Sequence, residues 1–288
     1  MTARVLKVGL ALGGGGARGL AHICMLEVLD ELGVRPHCIA GTSIGAVLGA
    51  VYASGVSGKE IREHVGRLLA WRGKSWRQML KRRDVLQWVK LLDVERGRGG
   101  LLKGDRFFHS LYDALGVSTF EELKIPLKVV CTDFWKSEQV VFESGDLLPA
   151  VKASMGLPGV FTPVTLDGRV LIDGGGVNPV PHDVLQDCDV IVAVDVMGRM
   201  VQDPKRAPNL FRVVLGMFEI MQRSIVAGKN RHLPPTLYIR PDIAGVDILE
   251  FSKADLVYAQ AEPECLRLRA SLEQLLKSGD AYAPDLAH

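Results

Sequence analysis

The chain has 288 residues, 48% apolar and 24% charged, with a formal net charge of +2. Disorder and low complexity are excluded by that composition. The near-neutral balance argues against a dedicated nucleic-acid binder, which carries a clearly basic domain.

Arg4 and Lys7 accompany an apolar stretch, Val8 to Leu12, that runs straight into four glycines rather than into a signal-peptide core, so residues 5–12 read as a strand. Gly13-Gly14-Gly15-Gly16-Ala17-Arg18-Gly19 lies between this strand and a helix predicted over about Arg18 to Leu32, closed by Gly33. Backbone N–H groups in such a loop point at an anion seated at the helix start. A short strand (37–40) then leads through Gly41-Thr42-Ser43-Ile44-Gly45 into a second helix, from Ile44 to about Ser54. Residues 39–56 form an uncharged 18-mer of transmembrane length, but four glycines and three Ser or Thr favour a buried strand, turn and helix. Ser57 with Glu60 is a capping-box pair opening a third helix.

Later strands are expected at 127–135, 139–144, 168–173, 190–197 and 236–240, with Asp167-Gly168 as a hairpin turn. Long helices begin near Asn209 and near Ser252, the latter with a box-like cap completed by Asp255. Apolar strands alternating with helices predict an α/β fold with a largely parallel sheet. No repeat and no linker-like stretch interrupts it. One domain over 1–288 is therefore expected, with a core at about 5–200, a basic helical insert at 59–106 and a mostly helical remainder at 201–288.

Five scattered cysteines (Cys24, Cys38, Cys131, Cys188, Cys265) form no C-x-x-C pair and no zinc-ligand cluster, which predicts free thiols in a reducing cytoplasm. No motif implies a metal or a cofactor.

Chemistry concentrates in the glycine segments. Gly41 to Gly45 is a G-x-S-x-G between strand and helix, the context of a nucleophile elbow that exposes Ser43 Oγ and requires small flanks at Gly41, Gly45 and Ala46. Taken alone it is equally an ordinary tight turn. A nucleophilic serine needs a base, yet none of the seven histidines sits in a distinctive setting. Asp173-Gly174-Gly175-Gly176 at a strand end offers a carboxylate instead, although the same residues also suit an Asx turn.

Taken in order, Gly14-Gly15-Gly16-x-Arg18-Gly19, Gly41-x-Ser43-x-Gly45 and Asp173-Gly174-Gly175 resemble the patatin-like phospholipases, particularly bacterial ones. The segment Ala153-Ser154-Met155-Gly156-Leu157-Pro158-Gly159-Val160-Phe161 is similar to the A-S-x-x-x-P-x-x-F stretch of that family. The resemblance implies a three-layer α/β/α sandwich and hydrolysis of lipid acyl esters by a Ser-Asp dyad. Ser43 would be the nucleophile and Asp173 the base; Gly14, Gly15 and Gly16 would form the oxyanion hole, with Arg18 anchoring the loop or assisting electrostatically. An unperturbed aspartate is a poor base at neutral pH, so such a dyad requires a desolvated carboxyl.

Three other readings compete. Gly14 to Gly19 also satisfies the dinucleotide fingerprint, but the next strand, His37 to Ala40, ends without the acidic residue that would bind a ribose. An α/β-hydrolase triad would need His182 or His232, and would separate its glycine loop from its elbow by more chain than Gly16 to Ser43. A non-catalytic lipid- or partner-binding module on the same fold is the third.

Residues 59–106 hold 14 Lys or Arg against 6 Asp or Glu, a net +8 on a body of −6, and three of the four tryptophans (Trp71, Trp76, Trp88). A basic, Trp-bearing helical segment suits peripheral contact with an anionic membrane or a lid over an acyl pocket; a solvated hairpin is the plainer alternative.

Overall fold

In the computed structural model, residues 6–76, 116–201 and 210–277 are described, without the side chains of 70–76 and 211. Most of the basic segment, including the side chains of Trp71, Trp76 and Trp88, therefore lies outside the described residues.

The order of elements is β1 (Val8–Leu12), α1 (Ala21–Glu31), β2 (Cys38–Thr42), α2 (Ile44–Ala53), α3 (Gly58–Trp76), β3 (Leu127–Asp133), β4 (Glu138–Phe142), α4 (Leu147–Ser154), β5 (Val164–Leu166), β6 (Arg169–Asp173), β7 (Val190–Val194), α5 (Leu210–His232), β8 (Leu237–Ile239) and α6 (Ala254–Lys277). The strands form one mixed sheet ordered β5-β6-β3-β2-β1-β7-β8, with β4 added on β3. β3, β2, β1, β7 and β8 are parallel, while β4, β6 and β5 run antiparallel to their neighbours. The 39–56 stretch is strand β2, a turn at Ser43 and helix α2, as its glycine content predicts.

Side-chain size differs between the two faces of the sheet. Leu10, Leu12, Ile39 and Val129 belong to a large core beneath α1, α2, α3, α4 and α6. Ala11, Ala40 and Ala193 belong to a smaller one with Val180, Leu185 and Val226 of α5. Successive strand residues point to opposite faces, so alternating large and small side chains let bulky helices pack on one side and the chain after Asp173 come close on the other. A Cβ on Gly9 would stand 2.9 Å from Cys188 Sγ, which shows how tight the second face is.

Local signals behave as expected at several points. Ser57 and Glu60 exchange backbone and side-chain hydrogen bonds at the start of α3. Asp167 and Gly168, both at positive φ (50° and 73°), make the β5–β6 hairpin. The first helix differs from expectation: a 3-10 turn, Gly16–Leu20, precedes α1. At the other end α6 starts at Ala254 after a 3-10 turn rather than from a Ser252 and Asp255 cap, and it carries Pro263 within it. Among the described residues no helix is long and apolar enough to cross a membrane.

Candidate active site

The pairing of β3 brings the two candidate catalytic residues together. β4 occupies one edge of β3 from Val129 to Asp133. The other edge is shared: β2 pairs in parallel with Leu127 to Val130, and β6 pairs antiparallel with Cys131 to Asp133. The two strands approach from opposite directions and end at adjacent positions, Thr42 opposite Val130 and Asp173 opposite Cys131. Ser43, one residue beyond β2, consequently comes beside Asp173 at the end of β6, near enough for its hydroxyl to pull the Asp173 carboxyl pKa down.

Ser43 is half-buried and has φ 55° and ψ −125°. A non-glycine residue held at such angles stores about 1–3 kcal/mol, which surrounding packing must sustain. Helix α2 presses on the end of β1 so closely that a Cβ on Gly45 would lie 2.1 Å from the Leu12 carbonyl oxygen. Ser154, fully buried at the end of α4, accepts a hydrogen bond from the Ser43 N–H at 2.9 Å and donates to the Val130 carbonyl at 2.6 Å. That carbonyl belongs to the β3 residue where β2 ends. Two residues on, Gly156 accepts from the Asp173 N–H at 3.0 Å. The 153–161 segment thus pins the backbones of both Ser43 and Asp173, a role that its sequence does not display.

Ser154 is a positioning residue by this geometry. Ser154→Ala leaves a buried donor and a buried acceptor unpaired, so a loss of about 1–3 kcal/mol in urea unfolding is expected. The rate at which a serine-directed fluorophosphonate modifies Ser43, measured well below the unfolding transition, should fall by about tenfold as the elbow relaxes. An unchanged labelling rate would assign Ser154 to stability alone.

Asp173 is 3% exposed. Burial pushes its carboxyl up to about 6, against the opposing pull of hydrogen bonds from the Ser43 hydroxyl and the Gly175 N–H, the latter at 2.7 Å. The Asx turn anticipated as the plainer reading is therefore present too. Thr132 Oγ1 donates to the Asp173 carbonyl at 2.8 Å.

The glycine loop follows β1 and crosses in front of Ser43: a Cβ on Gly14 would sit 3.4 Å from Ser43 Cβ. The Gly13 N–H donates to the Val194 carbonyl, the Gly14 N–H to Pro179 and the Ala17 N–H to Ile248. Only Gly15 and Gly16 keep amides with no acceptor among the described residues, so the expected set of three free donors is reduced to two, because Gly14 is committed to Pro179. Gly16 has φ 58°, and a side chain there would collide with the Ile248 carbonyl at 2.1 Å. Arg18 is buried, 6% exposed, and donates to the Val246 and Met197 carbonyls and to Glu219 Oε1 at 3.1 Å. Of the two roles expected for it, anchoring matches this geometry, since its guanidinium points into protein. Gly19 is packed against Ile44 of α2.

No histidine among the described residues hydrogen-bonds Ser43 or Asp173. His182 lies between the Val180 and Leu233 carbonyls. His22, fully buried, places Nε2 at 2.8 Å from the Gly13 carbonyl, and burial lowers its pKa to about 4. It is neutral at pH 7 and donates to the loop, a part that its place on an amphipathic helix did not reveal. Among the described residues no group of three or more His, Cys, Asp or Glu side chains is arranged to hold a metal ion.

Comparison with known proteins identifies the family. The profile described as patatin-like phospholipase matches residues 10–185, well over half of the chain. An uncharacterized NTE family protein of Mycobacterium bovis is 37% identical over 194 residues, 67% of this chain and 49% of that protein. Lysophospholipase nte1 of Aspergillus fumigatus is 30% identical over 275 residues, 87% of this chain and 17% of that one. The chain thus spans about half or less of these curated relatives. VipD of Legionella pneumophila has the same fold, with a TM-score of 0.51 at 14% identity over 92% of this chain and 67% of that one. Ordered motifs, fold and family profile agree: the chain belongs to the patatin-like phospholipase family.

Proposed function

We propose that the protein hydrolyses fatty-acyl esters of lipids through a Ser43–Asp173 dyad, with a covalent acyl-enzyme. The observation that carries this reading is the meeting of Ser43, at the end of β2, with a buried Asp173, at the end of β6, on adjacent positions of β3; burial pushes that carboxyl up to about 6. A base with a pKa near the working pH combines a useful ionised fraction with real proton affinity. Relatives named lysophospholipase and neuropathy target esterase support an acyl-ester substrate on a lipid.

In the first half-reaction Ser43 Oγ attacks the acyl carbonyl carbon and its proton passes to Asp173. The resulting oxyanion accepts hydrogen bonds from the Gly15 and Gly16 amides, beside the N-terminus of α2, whose partial positive charge favours the anion. The ester C–O bond then breaks, and Asp173 returns the proton to the leaving alcohol. In the second half-reaction water attacks the acyl-enzyme and gives its proton to Asp173; collapse of the intermediate returns that proton to Ser43 and releases the fatty acid. The five free cysteines support a reducing cytoplasm as its compartment.

Fluorophosphonate labelling tests the reading directly. The probe should attach at Ser43 and fail to attach in Ser43→Ala; folded wild-type protein that stays unlabelled would mark a binding module. On a soluble short-chain ester, kcat/KM should rise with pH through an apparent pKa of about 6 and level off above it, because only ionised Asp173 accepts the serine proton. A flat profile from about pH 5 to 8 would remove Asp173 as the base.

A further inference from the structure

The five free thiols of the chain are not equivalent, and one of them stands beside both a cation and a second thiol. Cys24, on α1, is 7% exposed and accepts a hydrogen bond from a guanidinium N–H of Arg62, on α3, at 3.3 Å. That guanidinium is fixed from two sides, by the two oxygens of the Glu27 carboxylate and by the Tyr258 ring of α6, whose centroid lies 4.0 Å away. Cys265 reaches the same place from α6: its Sγ lies 3.7 Å from Sδ of Met25, the residue after Cys24. Farther along, Arg269 of α6 pairs with Glu31 of α1. The two contacts advance in the same direction on both helices, so α1 and α6 run side by side with Cys24 and Cys265 close to level. Cys265 also falls in the stripe of α6 that holds buried Ala261, Leu268 and Leu272, at spacings of three and four residues.

We propose that Cys24 and Cys265 are a peroxide-oxidisable dithiol, with Cys24 as the attacking thiolate and Cys265 as the resolving thiol, whose disulfide ties α1 to α6. The site is separate from the Ser43–Asp173 dyad and stands whether or not Ser43 is a nucleophile. Acidity supports this division of roles. The neighbouring Cys265 and the Arg62 N–H hold the Cys24 thiol below the usual range, against the effect of burial, while Cys24 and burial push Cys265 up. Cys38 and Cys131 instead turn Sγ to the backbone carbonyls of Ile39 and Ala150, and burial pushes both thiols up. Burial pushes Cys188 up as well.

The steps balance with hydrogen peroxide as oxidant. The Cys24 thiolate attacks one peroxide oxygen, the O–O bond breaks, and Cys24 becomes a sulfenic acid, while the departing hydroxide takes up the proton that Cys24 had released. Cys265 then attacks the Cys24 sulfur: the S–S bond forms, the S–O bond breaks, and the hydroxide that leaves takes the Cys265 proton to give a second water. Two electrons pass from the sulfurs to the peroxide. In a reducing compartment such a disulfide is transient, which suits a response to oxidant rather than a permanent staple. Its place gives it reach. Helix α1 follows the glycine loop, and His22, two residues before Cys24, holds the Gly13 carbonyl. The tie therefore fastens the helix that supports the loop to α6.

The experiment treats the reduced full chain with a slight excess of hydrogen peroxide, alkylates the thiols that remain and maps the peptides by mass spectrometry. Two of the five thiols should be lost, as a Cys24–Cys265 cross-linked peptide within one chain that dithiothreitol releases. Cys265→Ser should stop at a dimedone-reactive sulfenic acid on Cys24, and Cys24→Ser should leave Cys265 open to alkylation. Arg62→Gln should slow the loss of thiols by ~10-fold, because less Cys24 thiolate is present. Cys188→Ser should react as the parent does. In urea, oxidation should raise the unfolding midpoint of the parent, since the cross-link closes most of the chain into one loop, and leave that of Cys265→Ser where it was. Mapping on the parent needs no variant to fold. The proposal is overturned if all five thiols stay open to alkylation, if the cross-link joins two chains or another pair, or if Arg62→Gln reacts at the parental rate. Fluorophosphonate labelling at Ser43 reports separately on the hydrolase reading.

Discussion

Asp173→Asn is expected to abolish turnover while making the protein more stable at neutral pH. The catalytic part follows from loss of the proton acceptor. General-base contributions of about 10²–10⁴ set the scale, so a fall in kcat/KM of at least ~10³ is expected for a nucleophile with no alternative base in contact. The stability part follows from linkage. Burial raises the Asp173 carboxyl from 3.8 to about 6 in the folded protein. Between those values the unfolded chain has released a proton that the folded chain still holds. Folding stability is therefore unpenalised below about pH 4, falls as pH rises through this window, and has lost about 3 kcal/mol once pH passes 6. Asparagine carries no charge to desolvate. Its weaker hydrogen bonds to Ser43 and Gly175 offset part of the gain, leaving the variant up to about 2 kcal/mol more stable than wild type at pH 8, with no advantage at pH 4. Urea unfolding at the two pH values measures this. Equal stability at pH 8 would mean that the carboxylate is solvated in the folded state, and the elevated pKa with it would have to be abandoned.

That trade between function and stability was partly legible in the sequence. The requirement for a desolvated aspartate follows from the chemistry of a dyad, and the motifs mark Ser43 and Asp173 because glycines crowd around them. How the two residues meet was not legible. It depends on β2 and β6 dividing a single edge of β3, and register between segments some 130 residues apart leaves no trace in local periodicity. Long-range hydrogen bonds hid other parts: Gly14 looks like a free donor until Pro179 is found to accept from it, and His22 looks like core until Gly13 is found above it. Ser154 sat inside a recognised motif without a visible role, since its partners are a backbone amide at Ser43 and a carbonyl at Val130. For α5 the apolar spacing was readable, but periodicity reports that a helix has two sides and not which one is turned to solvent. Elements with strong local chemistry, such as the Asp167-Gly168 hairpin and the Ser57–Glu60 cap, were the ones the sequence located best.

Arg18→Met should be the most destabilising substitution in the glycine loop, and its partner should partly rescue it. Arg18 reaches across 201 residues of sequence to Glu219 and also donates to two carbonyls from a site with almost no solvent contact. Methionine fills the space of the side-chain stem but leaves Glu219 buried, with Arg223 at 3.8 Å as its remaining cation. Breaking a buried pair from one side costs about 3–5 kcal/mol, because the orphaned charge keeps its desolvation penalty. Combining Arg18→Met with Glu219→Leu removes that charge, so the double variant should recover a large part of the lost stability, a coupling that urea unfolding of the four proteins in the cycle quantifies. The same cycle decides between the two roles that sequence left open for this arginine. If Arg18 acted on substrate, the single variant would lose turnover with its stability intact, and removing Glu219 would change nothing. If it anchors the loop, stability falls first and Ser43 labelling falls with it, since the Gly15 and Gly16 amides are aimed by a loop whose position Arg18 fixes. The Glu219 partner lies on α5, so the anchor also ties the glycine loop to that helix, and any shift of α5 would be felt at the Gly15 and Gly16 amides.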